Sequence, residues 1–125
     1  MKKVISTTKA PKAIGSYSQA IEINGMLFIS GQIPINPDSG NIVDGGIKEQ
    51  TEQVLKNILS ILEYSGYTLN DVVKTTCLLS DMSYFKSMNE IYSIYFKDNP
   101  PARAAFAVKE LPLNVMIEID AIAVK

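Results

Sequence analysis

The closing stretch Val115 to Val124 limits the fold more than any other part of the chain. Drawn as an extended strand, it puts Val115, Ile117, Ile119, Ala121 and Ala123 on one side, and Met116, Glu118, Asp120, Ile122 and Val124 on the other. Both sides are substantially apolar. A sheet containing this strand therefore needs cover on both faces. The remaining pattern supplies helices enough for one face only, so the second face is expected to be buried against further copies of the chain, with cyclic symmetry as one way to close the assembly. A site between subunits would then be natural.

The other elements follow from local signals. Ala20 to Ile23 and Met26 to Ser30 flank Asn24-Gly25, the strongest short signal for a type I′ hairpin. Gln32 to Gly46 is rich in proline, glycine and Asp-Ser, and reads as turns with a short edge strand at Asn41-Ile42-Val43. From Ile47, apolar Val54, Leu55, Ile58 and Leu62 recur at helical spacing, and Gly66 stands at a C-terminal cap. Val72 to Leu79 is rich in β-branched residues and reads as a strand. Phe85, Met88, Tyr92, Tyr95 and Phe96 form a second helical stripe, begun near Asp81 or Ser83 and stopped by Asn99-Pro100-Pro101. Strands over Arg103 to Lys109 and Val115 to Val124 close the chain around a turn at Leu111 to Asn114. The order gives an α+β fold: one mixed sheet with both helices on one face, in a single domain spanning residues 1–125.

Composition narrows the chemistry. There is no histidine among the 125 residues, which removes imidazole bases, Ser-His-Asp and Cys-His pairs and the commonest transition-metal ligand. The lone Cys77 allows neither an intrachain disulfide nor a thiolate metal cluster, and it reads as an inert core thiol. Twelve basic against thirteen acidic residues leave a net charge of −1, a poor match to a surface that tracks nucleic-acid phosphates. No metal and no nucleic acid are expected. The N-terminus turns polar before an apolar signal segment forms, and no run is long enough for a membrane helix, so the expected location is cytoplasmic.

Two charged residues stand in apolar company. Arg103, in Pro100-Pro101-Ala102-Arg103-Ala104-Ala105-Phe106, is the only arginine; every other basic residue is lysine. A guanidinium offers a planar fork for a carboxylate or phosphate, which an ammonium does not. Glu118 lies between Ile117 and Ile119 in the next strand along the chain, and consecutive strands commonly pair, which would bring the two side chains together. An arginine for an anion and a glutamate for a proton make a minimal hydrolytic site. A structural ion pair between the two, or a surface arginine on an edge strand, fits the same residues.

Pro101-Ala102-Arg103-Ala104-Ala105-Phe106 followed by Ile117-Glu118-Ile119 resembles the C-terminal signature of the RidA family, also called YjgF/YER057c/UK114. Ile14-Gly15-Ser16-Tyr17-Ser18-Gln19-Ala20, Ser30-Gly31-Gln32-Ile33-Pro34, Asp71 to Thr76 and Met88-Asn89-Glu90-Ile91-Tyr92 agree with it, so the likeness covers nearly the whole chain. The resemblance implies a chorismate-mutase-like fold and a homotrimer whose three sheets form a central barrel-like core, with ligand clefts between subunits. It also implies cofactor-free hydrolysis of enamines and imines, such as 2-aminoacrylate/2-iminopropionate and 2-iminobutyrate, to 2-oxo acids and ammonia.

Carried over by position, the resemblance makes Arg103 the anchor of the substrate carboxylate, helped by the Ala105 amide, and makes Glu118 the residue that activates water. Tyr17 would line the cleft, with Ser30, Gly31 and Asn89 in its wall. Ala105 departs from the cysteine of many members, which removes thiol chemistry there but keeps the backbone donor. Ser16 replaces a common proline beside Tyr17. The resemblance leaves two other functions open: a binder or regulator that holds 2-oxo acids without turnover, and the endoribonuclease or translation-inhibitor activity ascribed to some relatives. The missing histidine and the absence of a basic excess argue against RNA cleavage.

Overall fold

The computed structural model describes residues 1–125. Six strands form one sheet: β1 (Lys3–Ile5), β2 (Ala20–Ile23), β3 (Met26–Gln32), β4 (Val72–Leu79), β5 (Ala102–Ala107) and β6 (Ile117–Val124). Their order across the sheet is β1-β2-β3-β6-β4-β5. Only β4 and β5 run parallel; all other neighbours are antiparallel. Helices α1 (Ile47–Tyr64) and α2 (Phe85–Tyr95) both cover the same face. No helix is long and apolar enough to cross a membrane.

Local chemistry sets these elements. Asn24 and Gly25 take φ of 51° and 74°, both positive as a two-residue I′ turn requires, and Ile23 pairs with Met26 across it. Helix α1 ends where Gly66 adopts φ 81°: its amide donates to Glu63 O at 3.1 Å and the Tyr67 amide to Leu62 O at 2.8 Å, the paired bonds of a Schellman cap. Asp81 caps the 3₁₀ turn Met82–Tyr84 by accepting from the Ser83 amide, and this turn leads into α2.

The core lies between α1 and one sheet face. Val54, Leu55, Ile58, Ile61 and Leu62 are sealed against Leu27, Ile29, Ile117, Ile119, Ala121 and Ala123. Each large side chain contributes about 1.5–3 kcal/mol by leaving water. Two buried amides on α1 fasten irregular chain to this core. Asn57 donates to Ile33 O at 3.2 Å and Ile35 O at 3.0 Å, while Gln50 accepts from the Met116 amide at 2.8 Å. The Gln32 to Gly46 region is therefore irregular but held, with a single bridge between Ile35 and Ile42 where a short edge strand was expected.

The other sheet face has no cover. Register places Val4, Ile21, Phe28 and Ile122 side by side on it, and further along Leu78, Phe106 and Glu118. Val4, Phe28 and Phe106 are exposed. The two-sided apolar pattern of β6 thus appears as a packed face and an open one.

Several sequence expectations need correction. Strand β1 was not foreseen, because three residues in a polar N-terminus give too little pattern to read. Strand β6 begins at Ile117, since Leu113 and Asn114 are left-handed and Val115 leaves a 3₁₀ turn. The larger correction concerns Arg103 and Glu118. Their strands are not neighbours, because β4 lies between them.

Candidate functional site

The two charged residues fall on opposite faces of the sheet. Arg103 pairs with Thr75, which is buried under α2, whereas Glu118 pairs with Leu78 on the open face. Two strand spacings and three residues along β4 also separate them, about 10 Å across the sheet and about 10 Å along it. Within one protomer they do not meet. The structural ion pair is thereby excluded, and so is a site that uses both from one copy.

Arg103 sits on a platform made by α2. Phe85, Asn89 and Tyr92 recur at i, i+4 and i+7, so one helical face presents all three. The guanidinium carbon lies 4.7 Å from the Tyr92 ring centroid and 5.3 Å from that of Phe85. Arg103 Nη1 donates to Asn89 Oδ1 at 2.8 Å. The Tyr92 hydroxyl is hydrogen-bonded to Thr75 Oγ1 at 2.7 Å, which fixes the ring beneath the cation. No carboxylate neutralises Arg103; the one ion pair in the chain joins Lys48 to Glu90 at the surface. Most of its five N–H donors are therefore uncommitted in an open hollow shared with Asn89, Lys97 and Pro101.

Ala105 follows on β5, the free edge of the sheet. Val108 donates its amide inward to Leu79 O at 2.9 Å, so strand alternation turns the amide of Ala105 outward. Its methyl group packs on the core beside Cys77, its register partner. Cys77 is sealed, and burial pushes its thiol up to about 11.

Glu118 belongs to a second hollow of about 440 Å³, together with Tyr17, Ser30 and Gly31. A β-bulge makes room for it: pairing slips between Ile29 and Gln32, so Ser30 and Gly31 together face a single step of β6. A β-carbon on Gly31 would overlap the Glu118 carboxylate where it lies, so any other residue here would push the acid to a new position. Burial, and secondarily the nearby charge of Asp120, raises the Glu118 pKa above the ordinary carboxylate value.

Tyr17 is presented by a loop whose anchor sequence reading did not single out. Gln19 is buried; its Oε1 accepts from the Thr7 amide at 2.7 Å and its Nε2 donates to Thr7 O, Ala10 O and Pro11 O at 3.0, 3.3 and 2.8 Å. Ser30 Oγ donates to Ser18 O at 2.6 Å, tying the same loop to β3. The available signal was a glutamine directly ahead of an apolar strand. The aromatic seat of Arg103 lay in the second helical stripe, whose spacing gave no sign that two of its rings would meet the guanidinium.

The structure thus groups Tyr17, Ser30, Gly31 and Glu118 in one place, and Arg103, Asn89 and Ala105 in another. Comparison with known proteins gives this arrangement its context. The family profile described as Endoribonuclease L-PSP matches residues 7–125. The chain belongs to this family, the RidA or Rid proteins. It is 58% identical over 125 residues to a RutC family protein of Pyrococcus horikoshii, covering all of this chain and 99% of that one. It is 52% identical to the 2-iminobutanoate/2-iminopropanoate deaminase of Mus musculus, covering all of this chain and 93% of the mouse protein. The crystal structure of YyfA, a Rid-family protein of Yersinia pestis, superposes with a TM-score of 0.97 at 48% identity over the full length of both chains. The α+β fold with two helices on one sheet face is the Rid fold.

Proposed function

We propose that the protein hydrolyses 2-imino acids and their enamine forms, among them 2-iminopropionate and 2-iminobutyrate, to 2-oxo acids and ammonia, in clefts between subunits. The observation that carries this reading is the placement of an uncommitted guanidinium and a carboxylate of raised pKa in two separate half-sites, on a protomer whose second sheet face is uncovered. Packing the open faces of three copies into a central barrel-like core buries the exposed apolar residues and lets Arg103 of one copy approach Glu118 of the next. The name of the mouse relative supports the same chemistry.

In this cleft Arg103 and the outward amide of Ala105 hold the substrate carboxylate. The imine carbon is already electrophilic, so the protein has only to position water and accept its proton. Glu118 takes one proton as the water oxygen bonds to C2 of the protonated imine and the C=N electron pair moves to nitrogen, giving a neutral carbinolamine. Glu118 returns that proton to the nitrogen, the C–N bond breaks as ammonia leaves, and Glu118 takes the proton of the remaining hydroxyl as it becomes the carbonyl of the 2-oxo acid. Tyr17, Ser30, Gly31 and Asn89 shape the walls. No cofactor takes part in these steps.

The test is Arg103→Lys, which keeps the charge but loses the fork and its seat against Asn89. With 2-iminobutyrate generated in situ, kcat/KM is expected to fall about 10- to 100-fold, the worth of one charge-assisted hydrogen bond. Wild-type turnover in a folded Arg103→Lys variant would remove Arg103 from the reaction. Saturable 2-oxo acid binding with no acceleration over buffer would make the protein a binder, and cleavage of an RNA control dependent on Glu118 would redirect the assignment.

A further inference from the structure

The hollow in front of Glu118 has an apolar side that a three-carbon acid does not need. On the single protomer it is an open groove of about 440 Å³. Its polar groups, Glu118 and Ser30, are joined by an apolar wall of Ile14, Ile33, Pro112 and Leu113. Leu113 is unusual in two independent ways. Its backbone is left-handed, at φ 55° and ψ 23°, a conformation costly for any residue with a β-carbon and natural only to glycine or asparagine. Its side chain is also 62% exposed, so no burial in its own protomer compensates for the strain. The adjoining Asn114 shares the left-handed turn at φ 56° with a residue type that tolerates it. A large apolar side chain is therefore held on a left-handed turn at the lip of the hollow that contains Glu118, a kind of backbone strain that clusters at binding sites.

We propose that Leu113 is a specificity-determining residue: with Ile14, Ile33 and Pro112 it receives the side chain of the substrate, so the protein favours 2-imino acids with branched or extended aliphatic side chains over 2-iminopropionate. This rests on the deaminase reading given above. With the carboxylate drawn to Arg103 and C2 placed at the water held by Glu118, the third substituent of C2 is left to face the apolar wall.

The experiment compares the assembled wild type with Leu113→Asn and Leu113→Met. Imines are released in situ from alanine, 2-aminobutyrate and leucine by an amino acid oxidase, with semicarbazide competing for them. The readout is the ratio of kcat/KM for the leucine-derived imine to that for 2-iminopropionate. Leu113→Asn, which suits the left-handed turn and should leave the thermal midpoint equal or higher, is expected to lower this ratio about 10-fold, the scale on which an apolar pocket senses a missing group. Leu113→Met retains the ratio. An unchanged ratio in an active Leu113→Asn protein, or a wild type that prefers 2-iminopropionate, overturns the proposal while leaving the deaminase reading intact. If the wild type accelerates no imine, the deaminase reading falls. Calorimetry with 4-methyl-2-oxopentanoate and pyruvate then decides: tighter binding of the former that depends on Leu113 sustains the pocket assignment, and equal or absent binding ends it.

Discussion

Placing Arg103 and Glu118 on opposite faces of the sheet yields a complementation experiment with a calculable result. Arg103→Ala and Glu118→Gln homo-oligomers should each be nearly inactive, for different reasons. In an assembly mixed at random from equal amounts of the two, a cleft drawing Arg103 from one copy and Glu118 from its neighbour is intact only when the first copy carries Arg103 and the second carries Glu118. Each condition is met half the time, so roughly a quarter of the clefts recover, whatever the number of subunits in the ring. Mixing by co-expression or by unfolding and refolding together, followed by the imine assay, should therefore restore roughly a quarter of wild-type activity from two almost dead parents. If both groups served one cleft from a single copy, every cleft would lack one of them and mixing would restore nothing. Activity no greater than the parents' average, in oligomers shown to be mixed by mass, would refute the intersubunit cleft.

Three further outcomes follow from individual contacts. Gln19→Leu removes the buried amide that holds residues 7–11, and at about 1 kcal/mol net for each of three good hydrogen bonds should cost about 3 kcal/mol in denaturant unfolding at fixed protein concentration; a loss under about 0.5 kcal/mol would show the loop is held elsewhere. Glu118 is raised by burial, so its favourable contribution is full below the ordinary carboxylate pKa and is lost as pH rises through its folded value; Glu118→Gln should abolish that slope and be the more stable protein at neutral pH, and a parallel pH–stability curve would contradict this. Cys77, sealed and shifted up to about 11, should resist iodoacetamide in the native protein and react only as the chain opens; modification at the rate of a free thiol would place it elsewhere.

What the sequence made legible was local, and what it hid was order across the sheet. The Asn24-Gly25 hairpin, the cap at Gly66 and the stripes of both helices are written in adjacent residues, and each appears where the chemistry requires it. The neighbour of β6 is not local information. The preference of consecutive strands to pair suggested β5 beside β6, yet β4, α2 and β5 form a strand-helix-strand unit, and such a unit lays its strands parallel. With β5 on one side of β4, the final strand had two places to go, the free edge of β5 or the other side of β4, and it fills the second, between β4 and β3. Crossover logic fixes β5 beside β4 but does not choose between these two places, so the separation of Arg103 from Glu118 was not legible in the string of elements. The room made by Gly31 and the seat made by Phe85 and Tyr92 were out of reach for a different reason: each depends on a residue distant in the chain, and glycine in a strand or aromatics on a helix have commoner explanations.

The separation also has a physical use. A guanidinium and a carboxylate free to meet inside one protomer would neutralise each other, and a substrate carboxylate would then have to displace an internal ion pair before binding. On opposite faces, each is held by its own scaffold: Arg103 by Asn89 and the α2 rings, Glu118 by the bulge at Gly31. Neither is committed to a countercharge. On the proposed assembly, burial of Phe28, Phe106 and their neighbours supplies the driving force for association, and the opposed charges come into range only as those faces close. Forming the oligomer and forming the cleft would then be one event, which accounts for a strand such as β6 carrying apolar residues on both faces and an acid on the one that is open.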